Sequence, residues 1–196
     1  MALFPMFVDL KNKECLVVGA GEVALRKIEQ LVKFNPSLTV IAPEIHDEIR
    51  LLSQEYTITL IERPYVIEDL AGRYLVIGAL DDLSEQEKIY TICMEQRIPV
   101  NCVDSPALCS FIFPALIVEG DLCVGINTSG RAPAVSSALR QYLTSMIPQG
   151  IGGLIDHVHS IRQNEPVGKE RQEKIIGVCR EFFGRIPIHK KEQDHS

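Results

Sequence analysis

The run Cys15-Leu16-Val17-Val18 stops at Gly19-Ala20-Gly21, and from Glu22 the apolar period changes, with Ala24, Ile28, Leu31 and Val32 on one helical face. Strand, glycine turn and helix therefore follow one another within about twenty residues. A second apolar run, Leu38 to Ile41, follows Asn35-Pro36 and is closed by Pro43. Its spacing suits a parallel strand laid beside the first after a right-handed crossover. The unit is βαβ, and it commits the chain to a sheet covered by helices.

The rhythm continues. Alternation at Tyr56, Ile58 and Leu60 predicts a third strand, and Tyr74 to Ile77, closed by Gly78, a fourth. Ser84 with Glu87 three residues later forms the pattern of a capping box, opening a helix that buries Ile89, Ile92 and Cys93 and ends near Arg97. Pro99 to Val103 is the fifth strand. Five strands alternating with helices predict an α/β fold, a doubly wound, Rossmann-like parallel sheet whose ligand crevice lies at the carboxyl ends of the strands. After Asp104 the pattern becomes antiparallel, because Phe111 to Val118 and Leu122 to Asn127 flank the turn Glu119-Gly120-Asp121. Pro133 then suits the first turn of a helix striped by Val135, Leu139, Tyr142 and Met146. Pro148, Gly150, Gly152 and Gly153 break it. A helix around Leu154, Val158 and Ile161, a turn at Asn164-Glu165-Pro166 and a helix around Ile176, Cys179 and Phe183 complete the chain, and the polar end His189 to Ser196 is expected to fray. The expected organisation is a nucleotide-binding domain over 1–112, a dimerisation hairpin and helix over 113–147, and a small helical domain over 148–196. The hairpin and helix present more apolar surface than a small lobe exposes alone, so a homodimer is expected.

Composition narrows the function. With 46% hydrophobic and 23% charged residues in 196, the chain is globular rather than disordered. A net charge of −6 opposes non-specific binding to nucleic acid or an anionic membrane, which leaves a small molecule as the expected partner. Six cysteines without a C-x-x-C, mostly inside apolar runs, suggest core thiols in a reducing compartment. Met1 to Leu10 lacks the basic start of a secretory signal, and the apolar run Phe111 to Val118, interrupted by Pro114, falls far short of the ~20 residues of a membrane helix. A soluble cytoplasmic protein without a membrane span is expected.

Gly19-Ala20-Gly21-Glu22-Val23-Ala24 is G-x-G-x-x-A between a strand and a helix, the setting in which it binds a dinucleotide. Gly19 permits the tight turn, Gly21 lets the backbone approach a pyrophosphate, and Ala24 lets helix and strand pack closely. The helix N-terminus offers free N–H groups to the anion. The acidic residue expected at the ribose falls slightly late: Glu44, or the backbone at Pro43, would reach its hydroxyls, and no arginine follows to take a 2′-phosphate, which favours NAD over NADP. Gly78 and Ala79, ending the fourth strand, would touch the nicotinamide side, while Asp81 and Asp82 are expected to cap the next helix. His157 and His159, two apart on a helix, face nearly opposite ways and cannot share a metal. His46, His189 and His195 are expected to be exposed. Cys102 and Cys109 read as core cysteines more readily than as iron ligands, and Arg26 and Lys27 as decoration of the first helix's outer face.

Several of these segments together resemble a known family. Phe4-Pro5-Met6-Phe7-Val8-Asp9-Leu10, Val23-Ala24-Leu25-Arg26-Lys27, Asn101-Cys102-Val103-Asp104 and Ser110-Phe111-Ile112-Phe113-Pro114-Ala115 look like the precorrin-2 dehydrogenase region of siroheme synthases. Thr128-Ser129-Gly130-Arg131-Ala132-Pro133 is similar to that family's S-x-G-[KTR]-[SA]-P segment, with Thr128 keeping a hydroxyl and Ser129 replacing a common glycine. The resemblance covers most of residues 1–150. It implies NAD-dependent oxidation of precorrin-2 to sirohydrochlorin, Fe²⁺ insertion in some members, and a homodimer built through the hairpin and following helix. A methyltransferase domain does not fit in 196 residues, so methylation is expected on another protein. Oxidising a reduced tetrapyrrole removes a hydride and a proton, and Asp104, ending the fifth strand, is the candidate general base; the competing reading is a turn cap. Thr128, Ser129, Gly130 and Arg131 become candidates for binding the substrate, with Arg131 either pairing with a carboxylate or standing solvated in its loop. A different class remains open: a module that binds NAD(H) without turnover.

Overall fold

The computed structural model describes residues 3–184. They divide into two compact units, one Leu3–Phe113 and the other beginning at Pro114. In the first unit, β1 (Glu14–Val18), β2 (Ser37–Ala42), β3 (Ile58–Glu62), β4 (Leu75–Gly78) and β5 (Val100–Cys102) form one parallel sheet in the order β3-β2-β1-β4-β5. The chain reverses its direction of travel across the sheet between β1 and β4, which opens the crevice of a doubly wound fold at that point. The register fixes where it opens. Val18 lies opposite both Ile41 and Gly78, and Gly78 opposite Cys102, so four strands end level with one another.

Buried strands alternate their side chains between two cores. Cys15, Val17, Val40 and Ile77 face α1 (Glu22–Leu31) and α2 (Asp47–Glu55), meeting Ala24, Ile28 and Ile49, whereas Leu16, Val18, Ile41 and Val76 meet Ile89 and Cys93 of α3 (Leu83–Glu95). Ile28, Ile49 and Ile89 are fully buried, and each contributes roughly 1.5–3 kcal/mol of hydrophobic stabilisation.

Three local expectations shift. α3 begins at Leu83, because the Asp82 carboxylate occupies the N-cap and accepts from the Ser84 N–H at 2.8 Å and the Glu85 N–H at 3.4 Å. A charged acceptor already in place leaves the Ser84–Glu87 capping box unformed. β3 begins at Ile58, since Tyr56 instead closes α2 with its N–H on the Leu52 carbonyl. The first hairpin strand starts only at Ala115: Pro114 has no N–H for a ladder, and Phe111 and Phe113 pack against the core of the first unit.

The second unit holds the antiparallel hairpin of β6 (Ala115–Glu119) and β7 (Leu122–Ile126), then α4 (Pro133–Met146), α5 (Ile151–Asn164) and α6 (Lys169–Gly184). Pro133 opens α4, where the missing N–H removes no helical bond. The stripe Val135, Leu139, Tyr142 and Met146 stands 41–59% exposed. His189 to Ser196 lies outside the described residues. Among the described residues no helix is long and apolar enough to cross a membrane.

Candidate dinucleotide crevice

The glycine turn is tied to both neighbouring strands. The Gly19 N–H donates to the Ile41 carbonyl at 2.8 Å, the Ala79 N–H to Val18 at 2.8 Å and the His46 N–H to Ala20 at 3.1 Å. Gly19 has a φ of +101°, and a Cβ on it would lie 2.1 Å from the Ala79 carbonyl oxygen, so only glycine fits. Gly21 differs: it is the N-cap of α1 at φ −84°, with no atom within 4 Å of where a Cβ would project. The first helical bond runs from the Leu25 N–H to the Gly21 carbonyl, leaving the Glu22, Val23 and Ala24 N–H groups without helical acceptors. No side chain caps them, and the Glu22 carboxylate leans toward Arg26 at 3.8 Å. Open space above free N–H groups fits a pyrophosphate.

Pro43 and Glu44 follow β2 directly and are exposed, and the Glu44 carboxylate has no partner among the described residues. The cations of this edge are already engaged. Arg50 holds Glu62, opposite Ala42 in the sheet, through two bonds of 2.7 Å, and Arg63 holds Asp69 at 2.8 and 2.7 Å. The guanidinium bond keeps the Glu62 carboxyl below the usual range. His46, expected to be exposed, is half-buried and caps α2, its Nδ1 accepting from the Glu48 N–H at 3.3 Å.

At the same carboxyl edge, beyond β4 and β5, a side chain unmarked by any motif joins two loops. Gln86 is 5% exposed, and its Nε2 donates to the Leu80 carbonyl at 2.5 Å and the Val103 carbonyl at 3.2 Å, while its Oε1 is buried without a partner. It thereby fixes the segment after Gly78 and Ala79 to the residue preceding Asp104. A Cβ on Gly78 would sit 3.3 Å from the Cys102 Sγ, so β4 and β5 approach closely here. Asp104 occupies the left-handed region at φ +58°, which Asp tolerates better than most residues. Its exposed carboxylate accepts no hydrogen bond among the described residues, and the short turn that follows has no side-chain cap.

Lys27 is not on the outer face. It is half-buried on α1, with Nζ 4.5 Å from the centre of the Phe113 ring. Burial pushes its pKa down, opposed by the charge of Asp104 and then Cys109. Arg26, beside it, does remain exposed. Burial pushes the thiols of Cys15 and Cys93 up to about 11 and Cys102 up to about 12, so these are neutral at pH 7. Cys109 donates to the Cys102 carbonyl at 3.2 Å and the Ser105 carbonyl at 3.3 Å. Among the described residues no group of three or more His, Cys, Asp or Glu could hold a metal.

In the second unit, Thr128 to Arg131 form a turn with left-handed Ser129 (φ 55°) and Gly130 (φ 71°), closed by the Arg131 N–H on the Thr128 carbonyl at 3.1 Å. This is the geometry that favours glycine at both central positions, so the serine at 129 carries backbone strain. The Thr128 hydroxyl bonds the Ser136 hydroxyl at 3.0 Å and accepts from the Ala132 N–H at 3.3 Å, holding the turn to the start of α4. The Arg131 side chain is exposed and has no partner among the described residues.

Comparison with known proteins agrees with this geometry. Residues 6–115 match the family described as "Putative NAD(P)-binding". The siroheme synthase of Psychrobacter sp. (strain PRwf-1) is 39% identical over 154 residues, covering 79% of this chain and 32% of that protein. The siroheme synthase of Pseudoalteromonas atlantica (strain T6c / ATCC BAA-1087) is 42% identical over 151 residues, covering 77% and 33%. The chain thus spans about a third of the length of these curated relatives. The solved structure of SirC, precorrin-2 dehydrogenase, shares the fold at a TM-score of 0.73 and 21% identity, covering 93% of this chain and 98% of that one. The chain belongs to the putative NAD(P)-binding family, in the group shared with siroheme synthases.

Proposed function

We propose that this chain catalyses the NAD-dependent oxidation of precorrin-2 to sirohydrochlorin. The observation that carries the reading is the level ending of β1, β2, β4 and β5, which delivers the Gly19-Ala20-Gly21 turn and Asp104 to one edge of one sheet. The names of the matched siroheme synthases and of the SirC structure support the choice of substrate.

The Glu22 and Val23 N–H groups hold the pyrophosphate over Ala20 and Gly21, and Glu44 or the Pro43 carbonyl takes the ribose hydroxyls. With Arg50 and Arg63 held by carboxylates, this edge shows no free guanidinium for a 2′-phosphate among the described residues, which favours NAD. Gly78 and Ala79 line the nicotinamide side, and bound NAD⁺ supplies the hydride acceptor. As a ring carbon of the substrate gives up its hydride and the ring gains a double bond, Asp104, solvated and without a hydrogen-bond partner among the described residues, accepts the proton that leaves with it. In the second unit, the Thr128-Ser129-Gly130-Arg131 turn offers an unpartnered guanidinium for a substrate carboxylate.

Asp104→Asn keeps the size of the side chain but cannot take a proton, so turnover falls by roughly 10²-fold or more with NAD⁺ affinity retained. Near-normal turnover of the folded variant removes Asp104 from the chemistry. The siroheme synthase relatives favour a second activity, Fe²⁺ insertion into sirohydrochlorin with Fe²⁺ as substrate and Asp104 collecting pyrrole protons. Loss of both activities in Asp104→Asn supports a shared base. The exposed α4 stripe carries a homodimer contact, and a particle of one 22 kDa chain by light scattering at micromolar concentration refutes it. Six free cysteines fit a reducing, cytoplasmic setting.

A further inference from the structure

We propose that Lys27 is a substrate-anchoring residue, its ammonium taking a peripheral carboxylate of the tetrapyrrole beside Asp104. The proposal rests on the reading of this chain as a precorrin-2 dehydrogenase. Three observations converge on Lys27. It is half-buried, yet among the described residues it has neither an ion pair nor a hydrogen bond, only the face of the Phe113 ring at 4.5 Å. An ammonium carries three N–H donors, and a ring face satisfies none of them as an oxygen does. Cations removed from water are ordinarily paired, so a half-buried one without an acceptor is a site prepared for an incoming anion.

Its surroundings decide which anion. Lys27 lies on the second turn of α1, beyond the first-turn N–H groups that serve a pyrophosphate, and its charge is felt by Asp104 and Cys109 of the segment after β5. Asp104 alone does not neutralise it, since the two groups are not within ion-pair distance, and Cys109 is a thiol whose pKa burial raises. The adjacent Arg26 shows the contrast: exposed, and already leaning on Glu22. Precorrin-2 and sirohydrochlorin both carry many carboxylates around the ring, and oxidation leaves them untouched. A cation on the Asp104 side therefore binds substrate and product alike and sets the orientation of the ring carbon that loses its hydrogen. The flat Phe113 ring beneath the ammonium restricts where the head can go, which limits the entropy lost when a carboxylate arrives.

The test uses the full chain and sirohydrochlorin, titrated by its absorbance, with NAD⁺ affinity and thermal midpoint measured alongside. Lys27→Met keeps the length and apolar stem but removes the charge. It is expected to weaken sirohydrochlorin binding about tenfold to a hundredfold, the effect of one charge-assisted hydrogen bond, with NAD⁺ affinity and midpoint unchanged. Lys27→Arg is expected to retain binding within a few-fold. In steady state Lys27→Met raises KM for precorrin-2 more than it lowers kcat. Sirohydrochlorin affinity equal to wild type in folded Lys27→Met overturns the proposal. So does a loss confined to NAD⁺ binding, which assigns Lys27 to the cofactor, or a shifted pH profile of kcat with unchanged affinity, which makes it a tuner of Asp104. If wild type itself does not bind sirohydrochlorin, the dehydrogenase reading falls and takes this inference with it.

Discussion

Replacing Gly19 and Gly21 one at a time separates the architecture of the turn from its use. Gly19→Ala places a Cβ 2.1 Å from the Ala79 carbonyl oxygen at a φ of +101°. The left-handed backbone costs about 1–2 kcal/mol for a residue with a Cβ. Relieving the overlap displaces Ala79, whose N–H bond to Val18 at 2.8 Å joins β4 to β1, at a further cost of about 1–3 kcal/mol. The stiffer unfolded chain returns about 0.4–1 kcal/mol. The net loss is roughly 2–4 kcal/mol, or a fall of roughly 5–15 °C in the thermal midpoint at about 2–4 °C per kcal/mol. Gly21→Val meets nothing within 4 Å and sits in extended backbone, so its midpoint stays within a few degrees. Its branched side chain instead fills the space above the α1 N–H groups, and NAD⁺ binding is lost. Differential scanning calorimetry and NAD⁺ titration on the same samples check both halves. A Gly21→Val protein as destabilised as Gly19→Ala, or one that is stable and binds NAD⁺ normally, refutes the reasoning.

Ser129→Gly relieves a left-handed serine in the Thr128–Arg131 turn and is expected to raise stability by up to ~1 kcal/mol, measured by urea unfolding; a loss would show that the serine hydroxyl holds the loop. Gln86→Leu removes the strut between the Leu80 and Val103 carbonyls, which frees the two loops from each other, so kcat falls at least tenfold while the Gly21-dependent NAD⁺ affinity holds within a few-fold; unchanged kcat would release Gln86 from any part in placing Asp104. The Arg63 guanidinium holds the Asp69 carboxyl below its usual pKa, and a depressed folded-state pKa contributes stability that is complete above the unfolded value near ~4 and is lost as pH falls toward the lower one. Unfolding of wild type therefore steepens on acidification below pH ~4, and Asp69→Asn flattens that limb; parallel curves would contradict the pairing.

Much of the crevice is legible in the chain because its signals are local. The change of period at Glu22, the glycines before it and the level of each apolar run specify β1, α1 and β2 without tertiary information, and the same holds for Pro133 at the head of α4. What escapes depends on contacts between distant segments. Lys27 stands three residues after buried Ala24 and four before buried Leu31, on the border of the apolar stripe, and only the return of the chain at Phe113 and Asp104 decides which way it faces. Gln86 sits in register with Ile89 and Cys93, a spacing that predicts burial, but its two carbonyl acceptors come from Leu80 and, seventeen residues on, Val103. Ser84 and Glu87 had the right spacing for a capping box, and an aspartate two residues earlier took the cap first. Phe111 and Phe113 carry strand-like residues, yet Pro114 and the pull of the first core delay the strand to Ala115.

In the proposed function, a single sheet edge couples a dinucleotide to the dehydrogenation of a reduced tetrapyrrole. The most direct measurement is incubation of the full chain with precorrin-2 and NAD⁺ under anaerobic conditions, following NADH and sirohydrochlorin together. The two are expected in equal amounts, with NADP⁺ supporting a slower reaction and Asp104→Asn slowing both signals by roughly 10²-fold or more while still binding NAD⁺. NAD⁺ binding with no sirohydrochlorin formed above the uncatalysed rate would contradict it and leave a dinucleotide-binding module without this chemistry.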